Sequence, residues 1–246
     1  MAIFDVNLNL EGYPIPGVNQ NLAQIAQGLQ QRGIEGGIVF SARAEKVDPL
    51  SGNRILKAML DGTPQLYGGL TAHTNRVDAS LQAIKDLLGH KRIAAIRLVS
   101  NEPLEPLHPL VADELLNACR RYQKPIFLPT PNAACVEAAL HLAKTYSMHK
   151  FIFVAMGGAD WRTAIAAADQ AVNIFLETSG PLDRAKISPA IEAIGSHRVL
   201  FGSNLPFRDP LAALGLFQDN ELSSLDRRRI LYDNAVKLFN LNESEA

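Results

Sequence analysis

The chain has 246 residues, the size of one large domain or two small ones. It is 47% hydrophobic and 20% charged, which excludes a disordered chain. Its 24 Lys and Arg balance 25 Asp and Glu, and it has two cysteines, which excludes a strongly basic nucleic-acid or membrane binder and a disulfide-rich scaffold.

Strand and helix patterns alternate from end to end. Residues 2–8 read as a strand, and Leu22, Ile25, Ala26 and Leu29 then share one helical face before Gly33. Residues 34–40 read as the second strand, followed by a helix expected to be capped by Ser51. Residues 65–71 and 93–99 read as strands three and four, each followed by an apolar helical stripe. Residues 125–128, 151–155, 172–177 and 198–202 read as the last four strands. Ser188-Pro189 and Asp209-Pro210 read as helix starts, with Pro at the first helical position. Cys119 and Cys135 fall inside helical patterns and read as buried hydrophobes.

Eight such units fill the length and predict a closed (β/α)8 barrel forming one α/β domain over residues 1–246, with a doubly wound open sheet as the alternative. Neither G-x-G-x-x-G after the first strand nor G-x-x-x-x-G-K-[ST] is present, so nucleotide-binding signatures are missing. Residues 1–10 lack the basic start of a signal peptide, and no apolar run reaches the roughly 18–20 residues of a membrane span. A cytoplasmic protein with no nucleic-acid or membrane partner is therefore expected.

The active site of such a barrel lies at the C-terminal strand ends. Alternation sets Phe4, Val6 and Leu8 on the outer face of strand one and Asp5, Asn7 and Asn9 on the lumen face. It groups Phe175, Glu177 and Ser179 on strand seven and Leu200, Gly202 and Asn204 on strand eight.

Six segments in order resemble the amidohydrolase-related (type 2) branch of the amidohydrolase superfamily. Asp5-Val6-Asn7-Leu8-Asn9 resembles its D-x-H-x-H opening, and residues 124–130 (KPIFLPT) its K-P-V-x-I-H-T. Residues 151–158 (FIFVAMGG), 172–180 (VNIFLETSG), 198–207 (RVLFGSNLPF) and 230–241 (ILYDNAVKLFNL) are similar to its later landmarks. The resemblance implies the barrel fold and metal-dependent hydrolysis, decarboxylation or lactone opening of small carboxylated substrates. It also implies metal-binding histidines where this chain has Asn7, Asn9, Pro129 and Met156, and a catalytic aspartate where it has Asn204.

All five positions are replaced. An Asn carbonyl is a weak neutral ligand, Pro has no donor, Met is a soft thioether, and Asn204 cannot act as a base near pH 7. A barrel with no metal and no cofactor is expected. Of the six histidines, His73 alone is placed to face the mouth. His73 and the surviving acid Glu177 are the catalytic candidates, with a buried hydrogen-bonding role as the alternative for Glu177. Asn7, Asn9, Arg97, Thr130, Asn132, Met156, Ser179 and Asn204 are the ligand-binding candidates. Arg presents a fork suited to a carboxylate, although simple alternation leaves the facing of Arg97 open. Gly157-Gly158 reads as a tight turn, and Arg227-Arg228-Arg229 as a solvated helix face.

Two readings follow. One is a barrel without the metal machinery, catalytically inactive, that binds a small carboxylated or polar molecule. The other is a hydrolase, lactonase or decarboxylase with a metal-independent site. The resemblance also leaves room for a homodimer.

Overall fold

The computed structural model describes residues 1–10, 20–218 and 222–241. Eight strands alternate with helices: β1 (Phe4–Leu10), β2 (Gly36–Ser41), β3 (Leu66–His73), β4 (Ile93–Val99), β5 (Ile126–Pro129), β6 (Phe151–Val154), β7 (Ile174–Glu177) and β8 (Val199–Leu200). They pair in parallel in the order β1 to β8. Three backbone bonds join the ends of the sheet: Val6 N to Phe201 O at 3.0 Å, Asn204 N to Asn7 O at 2.9 Å and Asn9 N to Leu205 O at 2.8 Å. The result is the expected (β/α)8 barrel.

Between the strands run α1 (Leu22–Gln31), α2 (Ala42–Lys46), α3 (Pro49–Met59), α4 (Val77–Leu87), α5 (Pro109–Cys119), α6 (Ala133–Thr145), α7 (Trp161–Gln170) and α8 (Ile187–Ile194). After β8 come α9 (Pro210–Leu214), α10 (Ser224–Arg228) and α11 (Asn234–Phe239). α1 illustrates the logic. Asn21 and Gln24 form a capping box, and Leu22, Ile25, Ala26 and Leu29 are buried against the strands. Each buried Leu or Ile contributes about 1.5–3 kcal/mol. Among the described residues, no helix is long and apolar enough to cross a membrane.

Two start signals lie elsewhere than expected. The cap of α3 is Asp48, whose carboxylate accepts from Ser51 N at 2.6 Å, because Pro49 takes the first helical position. α8 starts at Ile187, before Ser188-Pro189, because a 3-10 turn at Arg184–Lys186, capped by Asp183, runs straight into it. Both cysteines are free and buried, and burial pushes the Cys119 thiol up to about 12.

Strand β1 does not alternate simply. Asp5 pairs with Gly37 but Leu8 with Val39, so the strand holds one extra residue. Phe4 and Val6 therefore pack inside the barrel with Ile38, Phe40, Phe127, Ile152 and Leu200. Leu8 and Leu10 pack outside against the helices. The expected single outer set of Phe4, Val6 and Leu8 is thus split by a bulge. Asn7 and Asn9 still face the lumen, whereas Asp5, between two inward residues, turns away from it.

The lumen is filled by an aromatic column. From α11, Phe239 stacks on Phe127 with centroids 6.1 Å apart, and Phe127 meets Phe40 edge-on at 5.0 Å. Gly69 makes room for this column, since a Cβ there would lie 2.0 Å from the Phe40 ring. The column closes the lower lumen and leaves the chemistry at the upper rim.

Candidate functional site

Arg97 caps the aromatic column. Its guanidinium carbon lies 3.7 Å from the Phe40 ring centroid. A second register shift sets its direction: Gly68 pairs with Ile93 and Gly69 with Ala95, leaving Ala94 as an extra residue that turns Arg97 inward. Arg97 Nη2 donates to Asn7 Oδ1 at 2.6 Å and Nη1 to Asn9 Oδ1 at 3.0 Å. The network spreads from there. Asn9 Nδ2 donates to Asn204 Oδ1 at 2.7 Å. Asn7 Nδ2 donates to Glu177 Oε2 at 3.1 Å and to Ser179 Oγ at 3.0 Å.

Glu177 is wholly buried beneath Asn7. Besides Asn7, its carboxylate accepts from Ala155 N at 3.1 Å, Ser179 N at 2.6 Å and Ser179 Oγ at 2.7 Å. Burial raises its pKa, against these hydrogen bonds and the charge of Lys186. Gly202 fits around it, because a Cβ there would meet Glu177 Oε1 at 2.0 Å. The Ala155 N–H is delivered by left-handed backbone at Ala155 (φ 62°) and Met156 (φ 51°), a strained conformation for residues with a Cβ. Asp5 accepts from Asn7 N and Ser203 N, and burial pushes its carboxyl up to about 7.

Above Arg97 opens a cavity of ≈ 350 Å³. Asn7, Asn9, Arg97 and Asn204 supply polar lining, Val99, Leu107, Pro129, Val154 and Phe207 apolar lining, and Glu45 and Glu105 two further carboxyls. The other candidates lie outside this lining. Thr130 Oγ1 bonds Val154 O, and Asn132 caps α6 and reaches Leu104 O. Met156 is fully buried, and Ser179 is committed to Glu177. His73, the last residue of β3, is buried, with Nδ1 accepting from Asn75 N. Burial lowers its pKa, assisted by Arg76 and opposed by Glu45.

Three supporting residues carry no motif. Glu45 falls on α2, directly after β2, which is the signal that could have found it. Phe40 reads simply as a core residue. Lys186 is wholly buried, and its Nζ donates to Thr178 O at 3.0 Å and Pro181 O at 2.9 Å. Arg208 donates to Ser179 O and Gly180 O, so four successive carbonyls after β7 are held by two cations. Burial lowers Lys186 to about 8, against the pull of Glu177.

The chain is thus a closed (β/α)8 barrel with a polar cluster at the C-terminal ends of its strands. The family described as Amidohydrolase matches residues 16–241, and the chain belongs to that family. A gamma-resorcylate decarboxylase of Polaromonas sp. is 37% identical over 70 residues, 28% of this chain and 22% of that relative's length. The fold matches a 2,6-dihydroxybenzoate decarboxylase from Rhizobium with a TM-score of 0.78 at 15% identity, covering 98% of each chain. It also matches a dihydroxybenzoic acid decarboxylase from Polaromonas sp. JS666, solved with manganese and 2-nitroresorcinol, with a TM-score of 0.79 at 16% identity over 99% of this chain and 98% of that one.

The residues here do not fit a divalent metal ion. Among the described residues, no group of three His, Cys, Asp or Glu could hold one. Asn7 and Asn9 turn their oxygens to the guanidinium, Pro129 has no donor, and Met156 lies outside the cavity lining. A divalent ion at about 4 Å from a guanidinium would be repelled by about 8 kcal/mol at an effective dielectric of about 20.

Proposed function

We propose that the barrel mouth binds a small carboxylated aromatic molecule, with Arg97 as the anchor for its anionic group. The observation that carries this reading is the guanidinium itself: fixed on Phe40 and two asparagines, it lines a cavity that Val99, Leu107, Pro129, Val154 and Phe207 also line. An apolar pocket with a few convergent polar groups suits such a ligand, and ≈ 350 Å³ is within the usual pocket range. The named relatives, which act on or hold aromatic acids and phenols, support the same ligand class. Calorimetric titration with 2,6-dihydroxybenzoate tests it. Arg97→Leu removes charge-assisted bonds of about 1.5–3 kcal/mol and weakens binding about 10–100-fold. Equal affinity in the two proteins refutes the anchor.

The decarboxylase relatives favour a reading with chemistry over an inert barrel. In that reading a proton reaches the ring carbon as carbon dioxide leaves, and Glu45 and Glu105, which line the cavity, are the acids placed to supply it. Glu177 has every role of a positioning residue: it is buried below the cavity and saturated with donors. Carbon dioxide release from dihydroxybenzoates in excess chelator, lost in Glu45→Gln or Glu105→Gln, supports decarboxylation. Binding without turnover leaves the mouth as a binding site.

A further inference from the structure

We propose that the Arg97 guanidinium is the resident cation of this barrel, standing where a divalent ion would otherwise be held, and that it is what makes the site refuse metal. This goes beyond the identity of the ligand and rests on the orientation of three asparagines.

That orientation is dictated by the partners. A guanidinium can only donate, so the atoms of Asn7 and Asn9 that face Arg97 at 2.6 and 3.0 Å are oxygens. Asn7 Nδ2 is then left to donate to Glu177 and Ser179, and Asn9 Nδ2 to donate to Asn204 Oδ1. Among the described residues, the carboxamide oxygens of Asn7 and Asn9 thus converge on one positive centre. The ring of Phe40 fixes the guanidinium plane from below. Neutral carboxamides suit a single positive charge, and a dication would need anionic ligands that Asn7, Asn9 and Asn204 do not supply.

The consequence is specific: restoring metal-type ligands is insufficient while Arg97 remains. The test compares Asn7→His/Asn9→His/Asn204→Asp with the same triple variant carrying Arg97→Leu. Leu keeps an apolar contact with Phe40 and supplies neither charge nor ligand. Chelator-stripped proteins are titrated with Zn2+ by calorimetry, with circular dichroism as the folding control. The expected result is zinc bound at one equivalent at least 100-fold more tightly once Arg97 is removed. Equal binding by both variants overturns the proposal. So does failure of both folded variants to bind, since the guanidinium is then not what excludes the ion. If the triple variants do not fold, Asn9→His/Asn204→Asp, which changes only cavity-lining positions, is compared with and without Arg97→Leu by the same criterion. Titration of the unaltered protein with 2,6-dihydroxybenzoate reports separately on the ligand reading.

Discussion

Asp5→Asn isolates the cost of the buried acid beside the site. Asp5 Oδ1 accepts from Asn7 N at 3.0 Å and Ser203 N at 3.1 Å, and Asn can keep both bonds. Among the described residues Oδ2 has no hydrogen-bond partner, so an amide nitrogen there displaces no hydrogen bond among them. Burial raises the folded-state pKa from 3.8 to about 7. The folded protein therefore binds more protons than the unfolded chain across that window. The stability this group contributes is fully present below about pH 4 and is lost as the pH rises through about 7. At 1.36 kcal/mol per pKa unit, the loss from this group reaches about 4 kcal/mol. Glu177 acts in the same direction, while the depressed His73 and His149 act in the opposite one, since folding favours their neutral forms. The difference between wild type and Asp5→Asn cancels those other groups to first order. Denaturant unfolding at pH 4.5 and pH 8 measures it. Asp5→Asn is expected to gain about 3–4 kcal/mol on wild type as the pH is raised between these values. A difference that does not change with pH refutes the burial argument.

Two further substitutions probe the scaffold around the site. Gly202→Ala drives a Cβ to 2.0 Å from Glu177 Oε1, and the carboxylate cannot move without breaking its bonds to Ser179, so a loss of about 2–4 kcal/mol is expected by denaturant unfolding. Much of that loss disappears in a Glu177→Ala background, and an undiminished penalty there places the clash elsewhere. Asp48→Ala removes the α3 cap and costs about 1 kcal/mol, whereas Ser51→Ala costs under about 0.5 kcal/mol; the reverse order would restore Ser51 as the cap.

The barrel was legible because each βα unit repeats a local signal: the α1 stripe of Leu22, Ile25, Ala26 and Leu29 is as regular in three dimensions as in the sequence. The facing of the site residues was less so. Period-two alternation fails wherever a strand gains a residue, and it does so on both strands that matter, at β1 before Leu8 and at β4 around Ala94. Alternation groups Asn7, Asn9 and Asn204 at the strand ends and the resemblance singles them out, and the structure joins all three through hydrogen bonds. The part played by Phe40 depends on a ring stacking across the lumen, which has no local signature. Nothing in the sequence marks Lys186, because lysine is rarely buried. Thr130, Asn132 and Met156 stand near strand ends in sequence, yet a cap, a backbone bond and a left-handed turn direct them away from the cavity.

The measurement that bears most directly on the whole account is a crystal structure grown with both 2,6-dihydroxybenzoate and manganese, with anomalous data to locate the metal. An anionic oxygen of the ligand is expected within about 3 Å of the Arg97 guanidinium, with no manganese peak among Asn7, Asn9 and Asn204. A manganese ion between those side chains, or a ligand seated away from Arg97, would contradict it.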